Sequence, residues 1–134
     1  MDNPYSSPRG LIATPTGSQA PLTWKQILFS FEGRIPRRTF WGFNILVNVV
    51  VGIVAAAFAA ALGEQNGAIA TLPFYILLLW TSLAITVKRW HDRDKSWAWI
   101  FLPLLPIVGW IWAFVECGCL RGTMGPNQYG EDPT

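Results

Sequence analysis

The side chains able to do chemistry in this sequence gather at three places. The first is Phe31-Glu32-Gly33-Arg34-Ile35-Pro36-Arg37-Arg38-Thr39-Phe40-Trp41. The second is Lys88-Arg89-Trp90-His91-Asp92-Arg93-Asp94-Lys95-Ser96-Trp97. The third is Gly122-Thr123-Met124-Gly125-Pro126-Asn127-Gln128-Tyr129-Gly130-Glu131-Asp132-Pro133. Arg34, Arg37 and Arg38 suit pairing with phosphates or carboxylates, because a guanidinium offers several donors in a planar fork. His91 and Asp92 are the most reactive-looking neighbours: in a loop the carboxylate can orient the imidazole for proton transfer or metal binding. Metal sites usually take three or four ligands, and one His with Asp92, Asp94, Cys117 and Cys119 is thin support. His91 and Asp92 are therefore expected to hydrogen-bond backbone ends and tie their loop to Arg34 or Arg37. Cys117-Gly118-Cys119 lacks the CxxC redox spacing, and a bond between cysteines two apart would be strained. They read as small residues where a helix ends at Gly118. The third cluster is turn chemistry that forms a folded cap on the tail. No P-loop, no dinucleotide fingerprint and no nucleophile–base–acid set appears, so no catalytic residue, metal or cofactor is expected.

The segments that hold these clusters apart are apolar. Of 134 residues, 51% are hydrophobic and 13% charged, against about 25% charged in a soluble domain. Too few polar side chains remain to coat a globule, and the composition is equally unlike a disordered chain. A net charge of +2 gives no reason to expect nucleic acid. Charge-free runs cover 39–63, 65–87 and 96–115, each long enough for the 20 or so residues that cross a bilayer as helix. Spans are expected at 40–62, 69–87 and 97–115. Pro103, Pro106 and Gly109 interrupt the third, which reads as a proline-kinked crossing helix, with a re-entrant hairpin as the alternative. The fold class is thus an all-α membrane protein of three transmembrane helices. It forms a single membrane domain over 23–134, with a polar tail at 116–134 and a flexible one at 1–22.

Orientation follows from the basic flanks. Lys25, Arg34, Arg37 and Arg38 precede the first span, and Lys88, Arg89, Arg93 and Lys95 lie between the second and third. The N-terminus is expected in the cytoplasm, the loop around Glu64 outside, and, with a crossing third span, the C-terminus outside as well. Before the first span, Trp24, Ile27, Leu28 and Phe31 share one face of a short interfacial helix started by a Thr23–Gln26 capping box. Trp24 and Trp41 suit the aromatic belt. The basic edge, including Arg89 and Arg93, is expected to meet the bilayer and its anionic headgroups.

Inside the spans, Asn44, Asn48 and Gly52 fall in one sector of the first helix, and Gly52, Ala56 and Ala60 form a ladder that admits a second helix. Thr71, Tyr75, Ser82 and Thr86 form a matching sector of the second. Together they make a polar seam, read mainly as helix-to-helix hydrogen bonding, because no acid sits deep in a span.

In this order, around spans of this length, the three clusters resemble the domain-of-unknown-function family 805, a group of small bacterial inner-membrane proteins. The resemblance covers about 29–133. Trp90 stands where that family usually shows Leu, and Gln128 where Arg is usual. It implies an inner-membrane, multi-pass architecture and no established reaction. The leading expectation is a non-catalytic accessory or interaction subunit, partnered by another membrane protein or a second copy. The alternative is a small oligomeric transporter or channel using the seam, and a membrane-edge enzyme built on His91 and Asp92 is a third.

Overall fold

The computed structural model describes residues 20–133. The flexible tail expected at 1–22 lies outside the described residues except for 20–22. Helix α1, Trp24–Phe29, begins at the expected capping box: the Gln26 amide donates to Thr23 Oγ1, and Gln26 Oε1 accepts from the Thr23 amide at 2.9 Å. Ile27 is its buried anchor, joining Ile35 and Ile85 with Leu22, Leu28, Phe40 and Phe43 around them. Trp24 stays 58% exposed.

Two long helices follow, α2 over Arg37–Leu62 and α3 over Glu64–Asp92. Gly63 alone joins them, at φ 80, a left-handed conformation that only glycine adopts freely. At 1.5 Å per residue they extend roughly 39 and 43 Å, more than a hydrocarbon core of about 30 Å requires. Only 6% and 22% of their most apolar stretches are buried in the chain, so they are not the core helices of a soluble fold. The helices approach closely at Gly67, where a Cβ would stand 2.6 Å from the Ala59 backbone. Thr71, one turn on and buried, returns its hydroxyl to the Gly67 carbonyl at 2.6 Å.

The third span differs from the crossing helix expected over 97–115. A 3-10 stretch, Trp97–Leu104, leads to Ile107, which sits at φ 65. Helix α4, Val108–Ala113, then continues as a π-helical turn, Phe114–Cys119. Pro103 and Pro106 lie three residues apart and neither has an amide to donate; α3 carries the single Pro73 without a break, but here the regular helix gives way and the chain folds back. The Gly109 amide donates to the Leu105 carbonyl at 3.0 Å and Trp110 Nε1 to that of Pro103 at 2.7 Å. The base of this hairpin is pinned by Glu116, 2.9 Å from both Arg93 and Lys95. The expectation that the tail ends on the far side of the helices is corrected with it. Residues 116–133 return to the end of α3 where the hairpin began, so Cys117 and His91 share one end of the helical pair.

Candidate functional site

All three hydrophilic clusters converge on one carboxylate. Asp92, the last residue of α3, is buried, with its side chain 2% exposed. Arg34 Nε reaches its Oδ1 at 3.1 Å, and Arg89, one turn back on α3, pairs with its Oδ2. Arg34 spends its other nitrogens on the tail, donating to the carbonyls of Thr123 at 2.7 Å, Gly125 at 2.8 Å and Gly130 at 3.2 Å. One side chain therefore sews the first motif to the second and third. The tail answers through backbone and amide: the Thr123 amide donates to the Asp92 carbonyl at 2.8 Å, and Asn127 Nδ2 to that of His91 at 2.9 Å. Gly122 is required where it stands, because a Cβ there would fall 2.0 Å from Asp92 Oδ2. The His91 ring lies flat on Tyr129, centroids 3.9 Å apart. The two neighbours of the second motif thus point to different partners, and no imidazole–carboxylate dyad forms.

Around this carboxylate, further cations and one indole donate to backbone carbonyls. Arg89 Nε donates to Cys117 at 2.6 Å, Arg37 to Cys119 at 3.2 Å, and Trp41 Nε1 to Gly118 at 3.1 Å. Lys88, fully buried, donates to Ile27 at 3.0 Å and also to Ser30, closing the carbonyl end of α1. Hydrogen bonds to a charged group contribute about 1.5–3 kcal/mol. Lys88→Met is therefore expected to lose about 2 kcal/mol of stability in detergent and to expose α1 to protease.

Burial opposes the ionisation of Glu116, but hydrogen bonds and charge from Lys95 and Arg93 outweigh it and hold its pKa below the usual carboxylate range. A depressed folded-state pKa gives stability that is present above the unfolded value, about 4.3, and that is lost as pH falls through the folded one. Acidification below about pH 4 is therefore expected to loosen the hairpin base. Emission from Trp99, whose ring lies under Lys95 at 4.3 Å, reports it, and Glu116→Gln removes the pH response.

The other expected site residues are spread out. Arg38 is exposed at the rim of a cavity beside the knot, and Arg93 also donates to the Arg121 carbonyl. The polar seam is corrected: Asn44 and Asn48 donate to carbonyls of their own helix, Phe40 at 2.9 Å and Asn44 at 2.8 Å. Tyr75 is exposed, while Ser82 and Thr86 are half-buried. Gly52 and Ala56 are exposed too, and a Cβ on Gly52 meets nothing within 4 Å, so their ladder packs against no helix among the described residues. The residues missed were Lys88, Glu116, Thr123 and Asn127. Glu116 carried a signal, as the lone acid after a third apolar run that faces a four-cation loop. The tail residues carried none beyond their turn pattern.

The family model described as "Protein of unknown function (DUF805)" matches residues 28–131, which include all three motifs. Among similar proteins of Escherichia coli K12, "Inner membrane protein YhaI" is 36% identical over 104 residues, covering 77% of this chain and 85% of that protein. "Inner membrane protein YhaH" is 37% identical over 106 residues, covering 77% and 86%. "Uncharacterized protein YiiR" is 36% identical over 137 aligned positions, covering 83% and 90%. No solved structure matches significantly.

Proposed function

This chain belongs to the DUF805 family and is an integral membrane protein related to inner-membrane proteins of unknown function; from that premise we propose that it is a non-catalytic interaction subunit of a larger membrane assembly. The observation that carries the reading is the outer surface of α2. Of its 26 residues only Val51 is buried, and the ladder Gly52, Ala56 and Ala60 faces outward. Lipid supplies no hydrophobic drive for helix association, so close backbone approach at small residues is the common means of recognition. Arg34, Arg89 and Asp92, meanwhile, are engaged in joining the motifs.

In the proposed topology α2 and α3 cross the inner membrane, and 97–115 enters and returns on the side where α3 ends, leaving Glu116 at the membrane edge. By the positive-inside rule that side is the cytoplasm, and both ends of the chain belong there. Reporter fusions after residues 66, 93 and 134 test it: the first is expected outside and the other two inside, and an external signal at 134 overturns it.

The subunit role is tested by native mass spectrometry of the full chain in mild detergent. A defined homo-oligomer or stoichiometric complex is expected, and Gly52→Leu, which has room in this fold, is expected to dissociate it. A monomer without partners overturns the proposal. A second reading, solute passage through an oligomer, draws on a groove of about 490 Å³ where Asn44, Asn48 and Thr86 meet Pro103 and Phe114. It requires Asn48→Leu to abolish flux in vesicles while leaving assembly intact.

A further inference from the structure

The two ends of the helical pair are unlike. Toward Gly63, α2 and α3 meet each other through Phe58 and Phe74, ring centroids 5.9 Å apart, and through Ala59 and Gly67. Ile53, Ile69, Leu72 and Ile76 in that half are all more than half exposed. Toward Asp92, two further elements lie against the pair. The segment through α1 dips alongside α3: Ile27 joins Ile85, and Phe31 sets its ring edge-on to Trp80 at 5.1 Å. The hairpin lies against α2, where Phe114 meets Trp41 at 5.7 Å, and Pro103 and Phe114 share a groove with Asn48 and Thr86. Trp80 stands twelve residues before Asp92, and Asn48 eleven after Arg37, depths of about 18 and 16 Å at the helical rise. Both fall short of the middle of their helices. The contacts of the added elements thus stop within one half of the pair.

In the topology proposed above, on which this inference rests, that half is the cytoplasmic leaflet. The outward faces there are apolar. Trp24, Phe29, Phe101, Leu104 and Trp110 are each about half exposed or more, and no charge falls between 96 and 115. These elements displace acyl chains, and with helices about 10–12 Å across they roughly double the cross-section of the bare pair. We propose that the chain is a wedge in the bilayer, wide in the cytoplasmic leaflet and narrow in the outer one, and that it concentrates where the cytoplasmic leaflet is convex. An insertion that expands one leaflet more than the other is least strained where that leaflet is already spread by bending, and shallow apolar insertions are curvature-sensitive for this reason. The partner of this surface is a bent lipid bilayer.

The test reconstitutes the full chain into vesicles of phosphatidylethanolamine and phosphatidylglycerol, about 50 and about 400 nm across. Fluorophores of two colours, at residue 66 and after residue 134, are imaged on single vesicles with a membrane-impermeant quencher that marks which end of each chain faces out. Chains with the 134 end outward are expected to be about threefold denser per unit area in the small vesicles, and those facing inward sparser. Ala57→Phe with Ala61→Phe, at exposed positions of the narrow half, is expected to bring that ratio toward one. Trp24→Ser with Phe29→Ser trims the wide half and is expected to do the same, an independent check should the α2 variant fail to fold. Equal densities at both sizes, the opposite preference, or an unchanged ratio in both double variants overturns the proposal. The two colours separate this failure from that of the topology. Quenching of both in one chain refutes the topology and the wedge together, whereas quenching of one alone with no size preference refutes the wedge only.

Discussion

Asp92→Ala is expected to lower the stability of the detergent-solubilised protein by roughly 3–5 kcal/mol, the range for removing one partner of a buried ion pair. The substitution leaves Arg34 and Arg89 facing each other in a site from which water is largely excluded, with side chains 1% and 0% exposed. The loss measures the uncompensated charge that remains, and an apolar replacement of the whole cluster would be far milder. Asp92→Asn keeps an acceptor for Arg34 and should lose less. A cycle with Arg34→Gln should show coupling of about 0.5–3 kcal/mol. Denaturant titration followed by tryptophan emission measures both. A loss below 1 kcal/mol for Asp92→Ala would mean that the three motifs do not depend on this carboxylate.

Gly109→Ala should be among the most damaging glycine-to-alanine changes in the described residues. The added Cβ would lie 2.0 Å from the Leu102 carbonyl oxygen and 2.9 Å from its carbon. Both are backbone atoms, so no rotamer relieves the collision and the arms of the hairpin must part. Overpacking usually costs 1–3 kcal/mol and occasionally more, and a backbone clash at this distance belongs at about 3 kcal/mol or above. Rapid protease cleavage between 97 and 116 should accompany the loss. Gly42→Ala is the control: a Cβ there meets nothing within 4 Å, so helix propensity should make it neutral to stabilising by up to about 1 kcal/mol. Equal effects of the two substitutions would exclude the hairpin packing.

These expectations separate what the residues announce from what they do not. Both long helices are written in the charge gaps on either side of Glu64, and the Thr23–Gln26 box announces α1, because each depends on neighbours in sequence. The path of 97–115 depends on Pro103 and Pro106, which suit a kink and a reversal equally well. The contacts of Glu116 with Arg93 and Lys95 distinguish the two, and they span more than 20 residues. Helical spacing likewise put Gly52 in the same sector as Asn44 and Asn48. It could not say how α2 is rotated against α3, and the close approach falls at Ala59 and Gly67 instead. The expected tie between Asp92 and Arg34 does form, but its continuation into Thr123, Gly125 and Gly130 rests on backbone carbonyls, which no side-chain pattern reveals.

The position of the tail sets an order of events during synthesis. The ribosome delivers α2 and α3 before Thr123, Gly125 and Gly130, so Arg34 gains those three acceptors only after both helices have been made. The joining of the three motifs is therefore expected to be a late step of folding, completed only once 123–130 has been made.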